Sequence, residues 1–236
     1  MARLRFAAIA FMASLLVSVV GRAAPTTEPV PQLAAPQGRK DRHEAMNKRV
    51  KEGNVDLIFI GDSITEGWEA AGRKAWDEHF AKLNAVNLGI GGDRTQNVLW
   101  RLDNGNIDGI TPKAAVLMIG TNNAEENTAE EIGEGITAIV EKLREKLPDT
   151  KILVLAIFPR GEKPDALREK LAKASAIASK TADSKSVFYM DIGPKFLEPD
   201  GTLSREIMPD LVHLNANSYE IWAREVEPKV KELMGK

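Results

Sequence analysis

The stretch Val55-Asp56-Leu57-Ile58-Phe59-Ile60-Gly61-Asp62-Ser63-Ile64-Thr65 decides the fold. Residues 55–60 are short, apolar and rich in branched side chains, as a strand buried on both faces requires. Gly61 ends the run and permits a tight turn, which leaves the hydroxyl of Ser63 at the strand's carboxyl end. Four further apolar runs, at 85–88, 114–119, 151–158 and 187–192, are each flanked by Gly, Pro, Asn or Asp. Helical patterns occupy 40–52, closed by Gly53, then 128–147, 164–182 and 217–233. In the second of these Ile132, Ile136, Ile139, Val140 and Leu143 recur at helical spacing, and Thr128 with Glu131 forms a capping-box pattern. Pro228 is expected to kink the last helix or start a turn of it. Strands alternating with helices predict a three-layer α/β/α sandwich around a doubly wound, five-stranded parallel sheet of the flavodoxin-like kind. Ligands of such sheets bind outside the carboxyl ends of the strands, so the segments just after each strand are where chemistry is sought.

Working outward, the length of 236 residues suits one sizeable domain, placed at 40–236. Residues 1–23 read as a secretory signal: Arg3 and Arg5 precede an apolar stretch at 6–20, then small residues around Gly21 and Ala23. Cleavage is expected after Ala23 or Ala24, the other reading being an uncleaved anchor, and either implies export to the periplasm or outside the cell. Residues 24–39, rich in Pro, Ala and Thr, are expected to form a flexible linker. The leader holds three arginines and no acid, so the remainder is more acidic than the net −2 of the whole chain, and nucleic acid is not an expected partner. The chain has no cysteine, which excludes disulfides, thiol catalysis and Cys-ligated zinc.

Four segments after strands carry reactive or hydrogen-bonding groups. Ser63 in Gly61-Asp62-Ser63 is a candidate nucleophile, although taken alone a serine there reads more readily as a helix N-cap. In Gly89-Ile90-Gly91-Gly92-Asp93 the glycines let backbone N–H groups approach a ligand, and a tight β-to-α turn is the plainer reading; no Gly-Lys-Ser/Thr follows to make a nucleotide loop. Gly120-Thr121-Asn122-Asn123 offers a side-chain amide. In Asp210-Leu211-Val212-His213 the three-residue separation lets one turn set a carboxylate beside an imidazole, fixing its tautomer for proton abstraction. His43 and His79, in charged segments, are assigned surface or structural roles. Nucleophile, base, orienting acid and two further donors at one sheet edge are the parts for acyl transfer through a covalent intermediate, with no metal or organic cofactor. A non-catalytic carbohydrate-binding module and a flavodoxin-like nucleotide binder are the alternatives.

These blocks resemble the SGNH, or GDSL, hydrolase superfamily, in which Ser, Gly, Asn and His occur in this chain order. The resemblance implies a catalytic triad of Ser63, His213 and Asp210 and an oxyanion hole of the Ser63 N–H, Gly92 and Asn122, and it selects Gly92 over Gly91 and Asn122 over Asn123. Over roughly 45–232 the chain is more closely similar to the catalytic α subunits of intracellular platelet-activating factor acetylhydrolase. Asn87-Leu88-Gly89-Ile90-Gly91-Gly92-Asp93, Val98-Leu99-Trp100-Arg101-Leu102 and Pro159-Arg160-Gly161-Glu162-Lys163-Pro164 carry that similarity. The chain departs from them in its export signal and in the polar run Ile64-Thr65-Glu66-Gly67-Trp68 after the serine. The expected activity is hydrolysis of short-acyl esters, with carbohydrate O-acetyl esters favoured over lipid esters. Glu66 and Trp68 are expected to line the pocket, with helix packing the competing role for Trp68, and the related subunits suggest a homodimer.

Overall fold

The computed structural model describes residues 25–31 and 37–236. In chain order the main elements are α1 (Gln37–Lys51), β1 (Leu57–Gly61), α2 (Ser63–Glu66), α3 (Arg73–His79), β2 (Ala85–Gly89), α4 (Thr95–Asp103), β3 (Ala114–Met118), α5 (Ala129–Lys146), β4 (Lys151–Leu155), α6 (Ala166–Ala178), β5 (Val187–Met190) and α7 (Ala216–Leu233). The five strands form one parallel sheet in the order β2-β1-β3-β4-β5. This is the doubly wound α/β/α architecture expected, and its order reverses at β1, with β2 and β3 on either side. The loops after these three strands therefore meet above one crevice.

Strand periodicity sorts the core into two layers, because successive side chains point to opposite faces. Ile58 and Ile60 face α1, α4, α5 and α6 together with Leu88, Leu117 and Val154. Leu57 and Phe59 face α3 and α7 with Val116, Leu153 and Trp222. The capping box is formed as the sequence implies: Thr128 Oγ1 accepts from Glu131 N at 3.1 Å, and Glu131 Oε2 from Thr128 N at 2.9 Å. α7 runs unbroken across Pro228. Its missing N–H denies the Arg224 carbonyl its usual i+4 donor on a face where Arg224 is exposed to water.

The segment preceding the first helix differs from expectation. Residues 37–39 belong to α1, and residues 25–31 are docked rather than free-running. Thr26 is buried; its Oγ1 donates to Glu131 O at 2.6 Å and its carbonyl accepts from Thr95 Oγ1 at 3.0 Å. Val30 N donates to Gln96 O at 3.0 Å, and Val30 O accepts from Asn97 Nδ2 at 2.9 Å. The first turns of α4 and α5 thus satisfy this short piece, which opens with a turn closed by Glu28 N donating to Pro25 O at 3.3 Å and which composition alone marks as a tether. The proposed signal segment and residues 32–36 lie outside the described residues. Among the described residues, no helix is long and apolar enough to cross a membrane.

Candidate active site

The site grows from the turn after β1. Asp62, not Ser63, is the N-cap of α2, its Oδ1 accepting from Ile64 N at 3.0 Å. Ser63 is therefore the first helical residue, with its hydroxyl directed out of the turn. Behind it, the Tyr219 hydroxyl on α7 donates to the Ile64 carbonyl at 2.6 Å, tying the turn to the last helix.

Ser63 Oγ lies 2.8 Å from His213 Nε2, and His213 Nδ1 lies 2.6 Å from Asp210 Oδ2. The other Asp210 oxygen accepts from the backbone N–H groups of Val212 at 3.0 Å and His213 at 2.7 Å. This wrap is possible because Leu211 takes a left-handed conformation, φ 64°, folding the chain around the carboxylate. The loop is anchored from outside by Gly161 N, which donates to Leu211 O at 2.9 Å. Asp210 pays a desolvation penalty, and the donors from His213 and Val212 outweigh it, holding the carboxyl down at about 2. The structure thus brings together hydroxyl, imidazole and carboxylate from opposite ends of the chain. The arrangement is open: the side chains of His213 and Asp210 are 48% and 56% exposed.

The loops after β2 and β3 close the other side. At Gly89 a Cβ would lie 2.4 Å from Glu66 N, so only glycine lets the end of β2 approach the serine turn this closely. Gly92 has φ 78°, which favours glycine and turns the backbone over the crevice. Asn122 Nδ2 donates to Asp93 O at 2.9 Å, which orients the amide and leaves it a second N–H. Asp93 is in turn fixed by Arg101 Nε at 2.7 Å, in a buried ion pair that also reaches the Gly61 carbonyl through Arg101 Nη2 at 3.3 Å.

The two residues expected to line the pocket differ in their placement. Glu66 does border the crevice, but it braces the glycine loop: its Oε2 accepts from Gly91 N at 2.5 Å. Arg42 stands 3.6 Å from Glu66 and donates to Gly89 O at 2.6 Å, so one carboxylate and one guanidinium clamp the whole turn. Trp68 is fully buried. Its ring packs against Tyr219 and Trp222 with centroids 4.7 Å from each, in the core layer between β1 and α7. Trp68→Ala is accordingly expected to cost about 3–5 kcal/mol of stability. Urea denaturation would read this, with KM for an ester substrate little changed; a variant of unaltered stability and raised KM would return Trp68 to the pocket.

The remaining histidines are structural. His43 is buried with its ring nitrogens near the Asn47 and Asn106 amides, at 3.1 and 3.3 Å. His79, expected in a solvated segment, lies under α7 between Glu227 at 2.8 Å and Glu220 at 3.3 Å.

Asp62 carries a consequence for stability. It is wholly buried, and its Oδ2 has no hydrogen-bond partner among the described residues. Burial, opposed by the Ile64 N–H and aided by the Asp93 charge, pushes its carboxyl up to about 7. An unfolded aspartate titrates near 3.9. Between these values the folded state holds a proton that the unfolded state has lost, so stability falls as pH rises, by about 1.4 kcal/mol per unit at the steepest, and levels off above the folded value. Asp62→Asn is expected to remove this slope. Urea midpoints from about pH 4 to 8 would show wild type losing ground to the variant as pH rises; parallel curves would contradict it.

A family model for GDSL-like lipases and acylhydrolases matches residues 59–221, which include both the serine turn and the histidine loop. The chain belongs to the GDSL-like lipase/acylhydrolase family. It is a serine ester hydrolase, with the fold of that family. Among relatives, it is 40% identical over 185 residues to the platelet-activating factor acetylhydrolase IB subunit alpha2 of Rattus norvegicus, covering 78% of this chain and 80% of that protein. A GDSL-like lipase from Bacteroides thetaiotaomicron superposes with a TM-score of 0.64 at 19% identity, over 81% of this chain and 97% of that one. A carbohydrate acetylesterase from Sinorhizobium meliloti superposes with a TM-score of 0.61 at 20% identity, over 76% and 99%. Membership does not carry the role of any single side chain, nor the substrate.

The sequence reading missed three contributors to the site: Tyr219 behind the serine turn, Arg42 across the glycine loop, and Arg39, whose guanidinium lies over Gly92. The arginines come from a helix preceding the first strand, and no local pattern signals that it folds back over the sheet edge.

Proposed function

We propose that this enzyme removes short acyl groups, chiefly acetyl, from carbohydrate esters after export from the cell. Ser63 is the nucleophile, His213 the general base and Asp210 the orienting acid. The observation carrying the reading is the unbroken relay of 2.8 and 2.6 Å from Ser63 Oγ through the imidazole to Asp210. His213 Nε2 takes the proton as Oγ attacks the ester carbonyl, and the oxyanion is received by the Ser63 and Gly92 N–H groups and the Asn122 amide. The tetrahedral centre collapses as His213 returns the proton to the departing alcohol, leaving an acyl-serine. A water deprotonated by His213 then attacks, and the carboxylic acid leaves with Ser63 reprotonated.

A carbohydrate alcohol is favoured because the cavity beside Gly92 and Asn122 is lined by polar groups, Gln96, Asn97 and Thr121 among them, rather than by an apolar groove for lipid chains. The acetylhydrolase relatives favour an acetyl group, and they keep a lipid ester as the second reading. Hydrolysis of p-nitrophenyl esters from acetate to octanoate, then acetate release from acetylated xylan and from an acetylated glycerophospholipid, tests both halves. Activity that rises toward octanoate, or on the lipid alone, overturns the acetyl-carbohydrate reading. Fluorophosphonate labelling at a residue other than Ser63 overturns the nucleophile.

Asn122→Ala is expected to lower kcat about 10²- to 10³-fold with a smaller change in KM, because the amide bonds to charge that develops only in the transition state. A loss confined to KM would place Asn122 in ground-state binding.

A further inference from the structure

A cavity of about 550 Å³ opens directly from the candidate oxyanion donors Gly92 and Asn122, and three arginines line it: Arg39, Arg94 and Arg160. Their charges are not equally spent. Arg94 is held bidentately by Glu126 at 2.5 and 2.6 Å, so its charge is largely offset. Arg160 donates through Nη1 to Thr121 O and Oγ1 at 3.4 and 3.3 Å, neutral partners that orient the guanidinium without neutralising it. Arg39, from the first turn of α1, lies so close over Gly92 that a Cβ there would stand 2.3 Å from its Nη2. Neither Arg39 nor Arg160 forms a salt bridge with any described carboxylate. Glu125 is the one acid in the lining. Asp93, the acid that acts electrostatically with Arg39, is itself bound by Arg101.

Two half-buried guanidiniums line one cavity without a salt bridge to a described carboxylate, so an anion entering it meets positive charge that is only partly offset. Planar donor forks of this kind match the paired oxygens of a carboxylate or phosphate. A polar, positively charged cavity does not suit an acyl chain, so it receives the alcohol half of the ester. We propose that Arg39 and Arg160 form an anion subsite, which makes the preferred substrate an ester whose alcohol carries a carboxylate or phosphate. This rests on the esterase reading above and names the substrate class for that same site.

Matched substrate pairs test it: O-acetylated glucuronate against O-acetylated glucose for a carboxylate, and acetylated glycerol 3-phosphate against glycerol monoacetate for a phosphate. In at least one pair the wild-type enzyme is expected to show a kcat/KM at least about tenfold higher for the anionic member, mostly through KM, since the anion sits away from the reacting carbonyl. The ratio should contract as salt rises. In Arg39→Gln and Arg160→Gln the ratio should fall toward one, and Arg39→Lys should retain part of it. Because each ratio is internal to one protein preparation, partial misfolding of a variant cancels. A wild-type ratio near one in both pairs overturns the subsite, as does a preference that survives both glutamine variants. Hydrolysis of none of the four esters would instead overturn the short-acyl reading on which the subsite rests. The subsite is then decided by calorimetric titration of the full chain with glucuronate and with glycerol 3-phosphate: binding weakened about tenfold or more by Arg39→Gln supports it, and no binding of either anion ends it.

Discussion

Ser63→Ala is expected to lower kcat on p-nitrophenyl acetate by about 10⁶-fold while leaving the protein as stable as the wild type. The size follows from cooperation within the relay, where removing the nucleophile makes the base and the acid idle, so one substitution costs nearly as much as deleting all three. Residual turnover should come from His213 acting on water beside the remaining oxyanion donors, a background about 10³- to 10⁴-fold above the uncatalysed reaction. Stability is spared for a local reason. Ser63 is half-buried and among the described residues donates to no backbone group, and the partner it leaves, His213 Nε2, belongs to a side chain that is 48% exposed and can turn to water. No buried polar atom is orphaned, so a change within about 0.5 kcal/mol is expected. Steady-state kinetics with urea denaturation on the same preparation checks both halves. Activity above about one per cent of wild type would remove Ser63 from the chemistry, and a large stability loss would mean that the hydroxyl has a structural role as well.

The layers of the fold were legible because each strand is a short apolar run with both faces buried, and because Thr128 and Glu131 mark a helix start chemically. Strand ends were less so: the run 151–158 reads as one strand, but β4 stops at Leu155 and Ile157 N instead donates to a side chain, Ser175 Oγ, at 3.0 Å. The short helix α3 and the amphipathic α4 escaped a reading by long periodic patterns. At the site, the positions after β1, β2 and β3 and the Asp210–His213 spacing could be named because strand-end geometry is nearly independent of the rest of the fold. Side-chain direction is not. Trp68 and Glu66 are neighbours of Ser63 in the chain, yet one points into the core and the other across to Gly91, according to how α7 and the glycine loop pack above them. The left-handed Leu211 has no signal at all in a residue type that ordinarily avoids that conformation. The enclosing loop, through its bonds from Leu211 N to Met208 O and from Gly161 N to Leu211 O, imposes it.

That same loop makes Asp210→Asn the more damaging of two substitutions at this position, with kcat falling about 10⁴-fold, while Asp210→Ala should fall less. One Asp210 oxygen already accepts from two backbone donors, Val212 N and His213 N. An asparagine must keep its carbonyl oxygen there, since its NH₂ cannot accept from them, and so presents NH₂ to His213 Nδ1. The imidazole can meet that donor only by accepting at Nδ1, which puts its proton on Nε2 and leaves nothing to receive the proton of Ser63. Alanine removes orientation and charge but imposes no tautomer, so a fraction of the enzyme retains a competent base. The exposure of the couple softens the electrostatic share of Asp210, because water screens the imidazolium formed in the transition state, whereas the tautomer penalty does not depend on burial. Comparison of kcat for the two variants, with ring nitrogen shifts of ¹⁵N-histidine reporting the tautomer, decides the matter. An asparagine variant faster than the alanine variant, or one whose Nε2 remains unprotonated, would mean that Asp210 acts through charge alone.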